Sequence, residues 1–347
     1  MSNTSQDQQL LDYQLKLGQA LRSIAAIDTI DVAPTPRTLI YQQDKLRLYH
    51  YKGKAVTSGQ PPLLICYALV NRPYILDLDS ERSFIAHLLQ HRSDIYLIDW
   101  GYPDALDYAL DLDDYINDYL DHCVEATQTH CDHDSVDLLG ICQGGTLSLC
   151  YTALHPKKIR KLITMVTPVD FNTSDNLLSH LAEKIDISAL SRAYGNIPGQ
   201  ILNGLFSSLM PARLGIHKAI QAPARMQTPQ QALSYLRMER WINDCPDQAG
   251  MAFEQFIRTF FQQNGFINDC VSIGEERACL KQITQPLLNI FASQDHLVPP
   301  SASRPLKELS GSADYTEIEV NSGHIGLFVS GKVNQQLCQQ IDHWLKS

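Results

Sequence analysis

A cysteine set between two glycines, Gly140-Ile141-Cys142-Gln143-Gly144, follows the apolar run Val136-Asp137-Leu138-Leu139 and leads into a helix-compatible segment. Strand, tight turn and helix in that order make a nucleophile elbow, with a thiol where a serine hydroxyl usually stands. The glycines let the turn pack closely and lift the side chain above a sheet. A helix that starts there offers free N–H groups and the positive end of its dipole, which favour an anion and can donate to an oxyanion. The Gln143 N–H is the expected donor. Such a thiol suits attack on an activated carbonyl, provided that a base and an acid stand behind it.

Those partners come in the order nucleophile, acid, histidine that an elbow demands. Residues 286–292 form an apolar run fit for a buried parallel strand, and it empties into the polar turn Ser293-Gln294-Asp295-His296-Leu297-Val298. A second strand, 315–320, ends in Asn321-Ser322-Gly323-His324-Ile325-Gly326. Cys142, Asp295 and His324 each lie just beyond the carboxyl end of an expected strand, where open α/β sheets place their sites. In this reading His324 takes the proton from Cys142, and Asp295 orients the imidazole or acts on its own account. His296 is a rival histidine out of the expected order, and Asp170, after the preceding strand, is a rival acid. A thiolate that attacks a thioester makes another thioester, so the acyl group stays activated for a second nucleophile. A serine would lose that activation in an oxygen ester, and cysteine therefore favours an acyl-CoA transferase over a simple esterase.

The elements that must carry these residues can be read along the chain. Residues 1–35 hold Leu10, Leu11, Leu15, Leu17, Leu21, Ile24 and Ile27 at helical spacing before Pro34 and Pro36. They are expected to form an amphipathic helix packed on the domain or docking another subunit. Runs 38–43 and 46–51 flank a short Asp44-Lys45 turn and read as an antiparallel hairpin. The buried run 63–68 leads into Leu69-Val70-Asn71, a loop that in such a sheet supplies the second oxyanion N–H, assigned here to Val70. Ser80 is expected to cap a helix over 81–91, followed by a strand at 94–99 and a long acidic helix from 112 to about 127. His130-Cys131-Asp132-His133-Asp134 resembles a metal loop but lacks paired ligands at fixed spacing, and no metal is expected. After a strand at 161–167, residues 171–281 show helical runs and no strand-like ones. This insertion is expected to be a cap that keeps water from an acyl intermediate. A last helix, 334–346, closes the chain. The expected architecture is an α/β-hydrolase fold, a mostly parallel sheet built from 36–170 and 282–347, with a helical cap.

Composition narrows the setting. The 347 residues are 44% hydrophobic, enough for a sizeable core, and 28 basic against 38 acidic residues leave a formal charge of −10. No basic field recommends nucleic acid as a partner. Nine cysteines are scattered along the chain, and the eight other than Cys142 are expected to be buried structural thiols in a reducing cytoplasm. The amino terminus lacks a basic region followed by an apolar core, and no run approaches the ~20 apolar residues of a membrane span.

With these residues assembled, the chain resembles the polyhydroxyalkanoate synthases, and specifically the short catalytic subunit of class III enzymes. The similar stretches are 67–78, Asp99-Trp100-Gly101-Tyr102-Pro103-Asp104, the elbow, Trp241-Ile242-Asn243-Asp244-Cys245-Pro246-Asp247-Gln248-Ala249-Gly250, Asp295-His296-Leu297-Val298-Pro299 and Gly323-His324-Ile325-Gly326. The resemblance implies polymerisation of (R)-3-hydroxyacyl-CoA, typically 3-hydroxybutyryl-CoA, into a storage polyester with release of CoA. The CoA thioester is substrate, and no cofactor is implied. Cys142 would carry the acyl chain, His324 would deprotonate it, and Asp295 would help activate the monomer's 3-hydroxyl. The resemblance also implies an E subunit as partner, a homodimer or hetero-oligomer, and a cytoplasmic enzyme at the surface of polymer granules. Short class IV synthases, with a different companion, are similar in length. An acyl-CoA thioesterase on the same scaffold is the alternative within enzymes, and an idle granule-coating scaffold the alternative outside them.

Overall fold

Short apolar runs become the inner strands of one eight-stranded sheet in the computed structural model, which describes residues 3–53 and 59–347. The strands are β1 (Thr38–Gln43), β2 (Leu46–Lys52), β3 (Leu63–Cys66), β4 (Asp94–Asp99), β5 (Val136–Ile141), β6 (Ile159–Met165), β7 (Leu287–Ala292) and β8 (Tyr315–Val320). Their order across the sheet is β1-β2-β4-β3-β5-β6-β7-β8. The β1–β2 and β2–β4 pairs are antiparallel and all others parallel. Every residue of β3, β5 and β7 is buried, because helices cover both faces, whereas β1 and β8 at the edges are partly exposed. This is the α/β-hydrolase architecture that the motif order implies.

Four helices bear on the site and its surroundings: α1 (Asn3–Ala25), α2 (Gln143–Leu154), α3 (Pro229–Asn243) and α4 (Gly331–Lys346). Helix α2 is buried on all sides, so the segment after Cys142 needs no polar face. Helix α4 buries Leu337, Cys338, Ile341, Trp344 and Leu345, the spacing of one helical stripe, against Phe84 and the sheet. The segment between β6 and β7 is mainly helical. Its Phe256 and Phe260 join Phe171 in the core, with ring centroids 6.3 and 5.6 Å from Phe171.

Several expectations need correction. The helix expected over 81–91 runs only from Phe84 to Leu88, and Ser83, not Ser80, caps it by accepting the Ala86 N–H at 2.8 Å. The Asp79 carboxylate accepts the N–H groups of Glu81 and Arg82, so Ser80 lies in a tight hairpin between Asp77–Asp79 and Arg82–Ser83. The region between β6 and β7 does contain strands, the two-residue pair Ser272–Ile273 and Glu276–Arg277, too short to show a period. The acidic helix begins with π-type turns, Asp114–Leu120, and continues as Asp121–Cys131. Cys270 is exposed and Cys131, Cys245 and Cys279 are half-buried, so not all the remaining thiols are core.

The first two residues of the expected amino-terminal segment lie outside the described residues. The rest forms α1 and then an extended run to β1. Among the described residues, the helix meets the domain from Lys16 onward: Gln227 Nε2 donates to Lys16 O at 3.0 Å, and Ala20 and Ile24, with Ile27 just beyond the helix, meet Met226, Ala232 and Tyr235. Leu10, Leu11, Leu15 and Leu21 are more than half exposed. No described helix is long and apolar enough to cross a membrane.

Candidate active site

Strand β5 delivers Cys142 to the carboxyl edge of the sheet, in the register that sets Gly140 beside Cys66 of β3 and Thr164 of β6. Cys142 has φ 53° and ψ −122°, a backbone conformation that costs a non-glycine residue about 1–3 kcal/mol. Its N–H donates to Met165 O at 2.9 Å and its carbonyl accepts the Gly145 N–H at 2.9 Å, so the strained turn is tied to β6 and to α2. A Cβ at Gly144 would lie 2.6 Å from the Tyr67 carbonyl carbon, and one at Gly140 would lie 2.6 Å from Ser148 Oγ. The backbone at Gly144 has nowhere to yield. Gly144→Ala is therefore expected to destabilise the fold by about 1–3 kcal/mol, read as a lower midpoint in thermal or urea unfolding. An unchanged midpoint would mean that the elbow is loose.

Asp295 lies three residues beyond β7 and His324 four beyond β8. The Ser293 N–H donates to Val320 O and the Gln294 N–H to Ser322 O, each at 2.9 Å, which extends the strand pairing into the two loops. Asp295 Oδ1 accepts the N–H groups of Leu297 and Val298 at 2.9 and 3.0 Å, and Oδ2 meets His324 Nδ1 at 2.7 Å. An acceptor on Nδ1 places the proton there and leaves Nε2 for another partner. Cys142 is near enough for its charge to bear on that imidazole. Burial alone would lower the His324 pKa, but the charges of Asp295 and Cys142 and hydrogen bonds to both outweigh it and hold it well above its ordinary value.

This shift has a definite sign in stability. A histidine whose folded-state pKa is raised stabilises the fold most below its unfolded-state value, about 6.5, and loses that contribution as pH rises through the folded-state value. The gap in unfolding free energy between wild type and His324→Gln is expected to be widest at or below pH 6.5 and to shrink in alkaline buffer. Urea titrations across pH 6–10 measure it, and a gap that grows with pH would contradict the ion-pair geometry.

The structure brings Cys142, His324 and Asp295 together and separates them from the rivals. Asp170 Oδ1 instead accepts the side-chain amide of Asn264 and the Asn172 N–H at 2.9 and 3.0 Å. The imidazole on Asp295 is that of His324, not its neighbour His296. His130 bonds Tyr96 OH through Nδ1 at 2.8 Å and packs on His50, and among the described residues no three His, Cys, Asp or Glu are grouped to hold a metal. A cleft of about 890 Å³ beside α3, lined by Arg82, Lys218, Arg237 and Glu239, is a separate feature that includes none of the three residues.

For the oxyanion, the Gln143 N–H is at the first turn of α2 and Val70 is in the loop after β3. Neither N–H donates to a described residue. Sequence reasoning missed the side chain of Gln143, whose Oε1 accepts the Leu69 N–H at 3.1 Å. It also missed Tyr67, buried at the same edge, whose carbonyl accepts Trp100 Nε1–H at 2.8 Å. Burial, then the nearby Cys142 and Cys245, push the Tyr67 phenol well above its usual pKa. The signal was present, since Tyr67, Trp100 and Cys245 all fall in stretches that carried the resemblance.

Comparison with known proteins agrees with this geometry. Residues 61–330 match the family model described as the alpha/beta hydrolase fold, and residues 1–88 match that of the poly-beta-hydroxybutyrate polymerase (PhaC) N-terminus. The poly(3-hydroxyalkanoate) polymerase subunit PhaC of Allochromatium vinosum is 51% identical over 340 residues, covering 97% of this chain and 96% of the relative. That of Synechocystis sp. is 43% identical over 344 residues, covering 96% and 91%. Among solved structures, a monoacylglycerol lipase of Paleococcus ferrophilus has a TM-score of 0.53 at 17% identity, covering 86% of this chain and 98% of its own. A hydrolase of Pseudomonas aeruginosa has 0.53 at 14%, covering 90% and 100%. At such identities the likeness is one of fold.

Proposed function

This chain belongs to the family of poly(3-hydroxyalkanoate) polymerase PhaC subunits, and from that premise we propose that it polymerises (R)-3-hydroxyacyl-CoA through a thioester on Cys142. The observation that carries the reading is the strained Cys142 backbone at the start of α2, with His324 held on Asp295 behind it. His324 Nε2 accepts the thiol proton, and the Cys142 thiolate attacks the substrate thioester. The tetrahedral oxyanion is held by the Gln143 and Val70 N–H groups. CoA leaves as its thiol with the proton from His324, and the acyl group stays on Cys142. The 3-hydroxyl of a second monomer then loses its proton to the His324–Asp295 pair and attacks the acyl thioester, which forms an ester bond and frees the thiol. Thioester exchange is nearly thermoneutral, whereas thioester-to-ester conversion runs downhill, so the second step drives elongation.

The monomer is 3-hydroxybutyryl-CoA in this reading, and no cofactor takes part. The helical segment 171–281 acts as a cap that excludes water from the acyl enzyme. The companion is the E subunit of a class III synthase, in a hetero-oligomer at the granule surface in the cytoplasm. The exposed leucines of α1 support a partner there, since a patch of that kind is costly to leave in water. The test is CoA release from (R)-3-hydroxybutyryl-CoA by the purified chain, alone and with a class III E subunit, with the product examined for insoluble polyester. Polymer formed strongly only with the companion is the expected result. CoA release that leaves only soluble acid would move the chain to the thioesterases.

A further inference from the structure

Loop 69–72, which carries Val70, bonds to residues 241–248 of the helical segment as well as to Gln143, Asp99 and Gly101 of the sheet domain. Asn71, at φ 59°, donates from Nδ2 to the carbonyls of Trp241 and Ile242 at 3.3 and 3.4 Å. Trp241 Nε1–H donates to Arg72 O at 2.8 Å, and Tyr74 OH donates to Asp244 Oδ2 at 2.9 Å. Gln248 Nε2 donates to Leu69 O at 3.1 Å. These contacts come from the stretch Trp241 to Gly250, none of whose residues takes part in the chemistry above.

One of the bonds differs in kind. The Leu69 carbonyl and the Val70 N–H belong to the same peptide unit, which is planar and trans, so the two groups point in opposite directions. Whatever fixes the carbonyl aims the N–H. The Gln248 amide is suited to that task. The residue is 4% exposed, and its second amide hydrogen is taken by Pro246 O at 3.1 Å. Its backbone is tied in both directions to Ile197 at 2.9 Å. On the other side, Gln143 Oε1 holds the Leu69 N–H. The bonds at Asn71, Arg72 and Tyr74 fasten the loop downstream and leave the orientation of the 69–70 peptide undetermined.

We propose that Gln248 is a positioning residue for the oxyanion hole: by holding the Leu69 carbonyl it aims the Val70 N–H at the thioester oxygen, so the helical segment completes the catalytic centre. The inference rests on the reading of Cys142 and Val70 given under Proposed function. It follows that the oxyanion donor is in place only while residues 241–248 are docked on the loop, which couples any opening of the segment to loss of catalysis.

The experiment acylates the full chain with [1-13C]butyryl-CoA, which lacks the 3-hydroxyl and cannot extend, and reads the acyl carbonyl by isotope-edited infrared spectroscopy. In the wild type the band is expected below that of a thioester in water, as a hydrogen-bonded carbonyl requires. In Gln248→Met, which keeps length and volume without a donor, the band moves back up. The CoA burst slows by about 10- to 100-fold, somewhat less than outright loss of an oxyanion donor, with KM within about twofold. Alkylation of Cys142 by iodoacetamide, which forms no oxyanion, stays at the wild-type rate, and Gln248→Ala repeats the pattern. An unmoved band in both variants, or alkylation that falls in step with acylation, would overturn the positioning role. A wild-type band with no downward shift would instead overturn the oxyanion assignment, and an acyl group found elsewhere than Cys142 would overturn the nucleophile.

Discussion

Cys142→Ala is expected to abolish acylation and polymer formation together, a loss on the order of 10⁴-fold or more in CoA release. The size follows from the absence of a substitute. Cys245 is the other thiol whose charge bears on Tyr67, yet burial raises its pKa, and the imidazole on Asp295 faces Cys142. Alanine accepts the backbone conformation as poorly as cysteine does, so the variant keeps the strained turn and its ties to Met165 and Gly145. The fold is thus preserved while the chemistry is removed, and an unfolding midpoint near that of the wild type serves as the control. Mass spectrometry of the wild-type chain quenched with 3-hydroxybutyryl-CoA locates the adduct. CoA release that persists in Cys142→Ala, or an adduct on another residue, would sink the mechanism.

Much of this centre was legible because it depends on local spacing. Glycines around Cys142, and polar turns that interrupt apolar runs at Asp295 and His324, announce their own geometry, and the parallel sheet supplies the rest. What stayed hidden depends on distant parts of the chain. The Gln143 side chain reaches Leu69 across 74 positions and Gln248 reaches it across 179, and no period in the sequence records either bond. The left-handed backbone at Val166, just beyond β6, has no sequence signal, since a β-branched residue is a poor candidate for φ 46°. Helix α1 shows a third limit. Its leucine spacing predicts an apolar face, but periodicity cannot say whether the chain itself covers that face, and here Leu10, Leu11, Leu15 and Leu21 are left more than half exposed while Ala20 and Ile24 are covered. The cap residue of the short helix after β3 was misplaced by three positions for a related reason. Asp79 takes over the turn, and a carboxylate that accepts two successive N–H groups leaves Ser80 nothing to cap.

Asp295→Asn is expected to separate the two halves of the reaction. In the wild type Oδ2 accepts the His324 Nδ1–H, while Oδ1 is held by the N–H groups of Leu297 and Val298. An asparagine that keeps its oxygen on those two donors turns its NH₂ towards Nδ1. The imidazole then holds its proton on Nε2 and can no longer accept one from the substrate side. Acylation suffers less, because a free thiol is already a few per cent ionised at neutral pH and is intrinsically nucleophilic; a loss of about 10- to 100-fold is expected. Elongation requires a hydroxyl to attack, and a hydroxyl has almost no anion at that pH without a base. The loss there is expected to be about 10³- to 10⁴-fold, the size seen when a triad histidine is left in the wrong tautomer. Rapid-quench measurement of the first CoA equivalent, set against steady-state polymer formation, reads the two steps separately. Equal losses would mean that Asp295 serves only to hold His324 for the thiol. Unequal losses would make the pair a base for the growing chain, which is the role that distinguishes a polymerase from a hydrolase built on the same three residues.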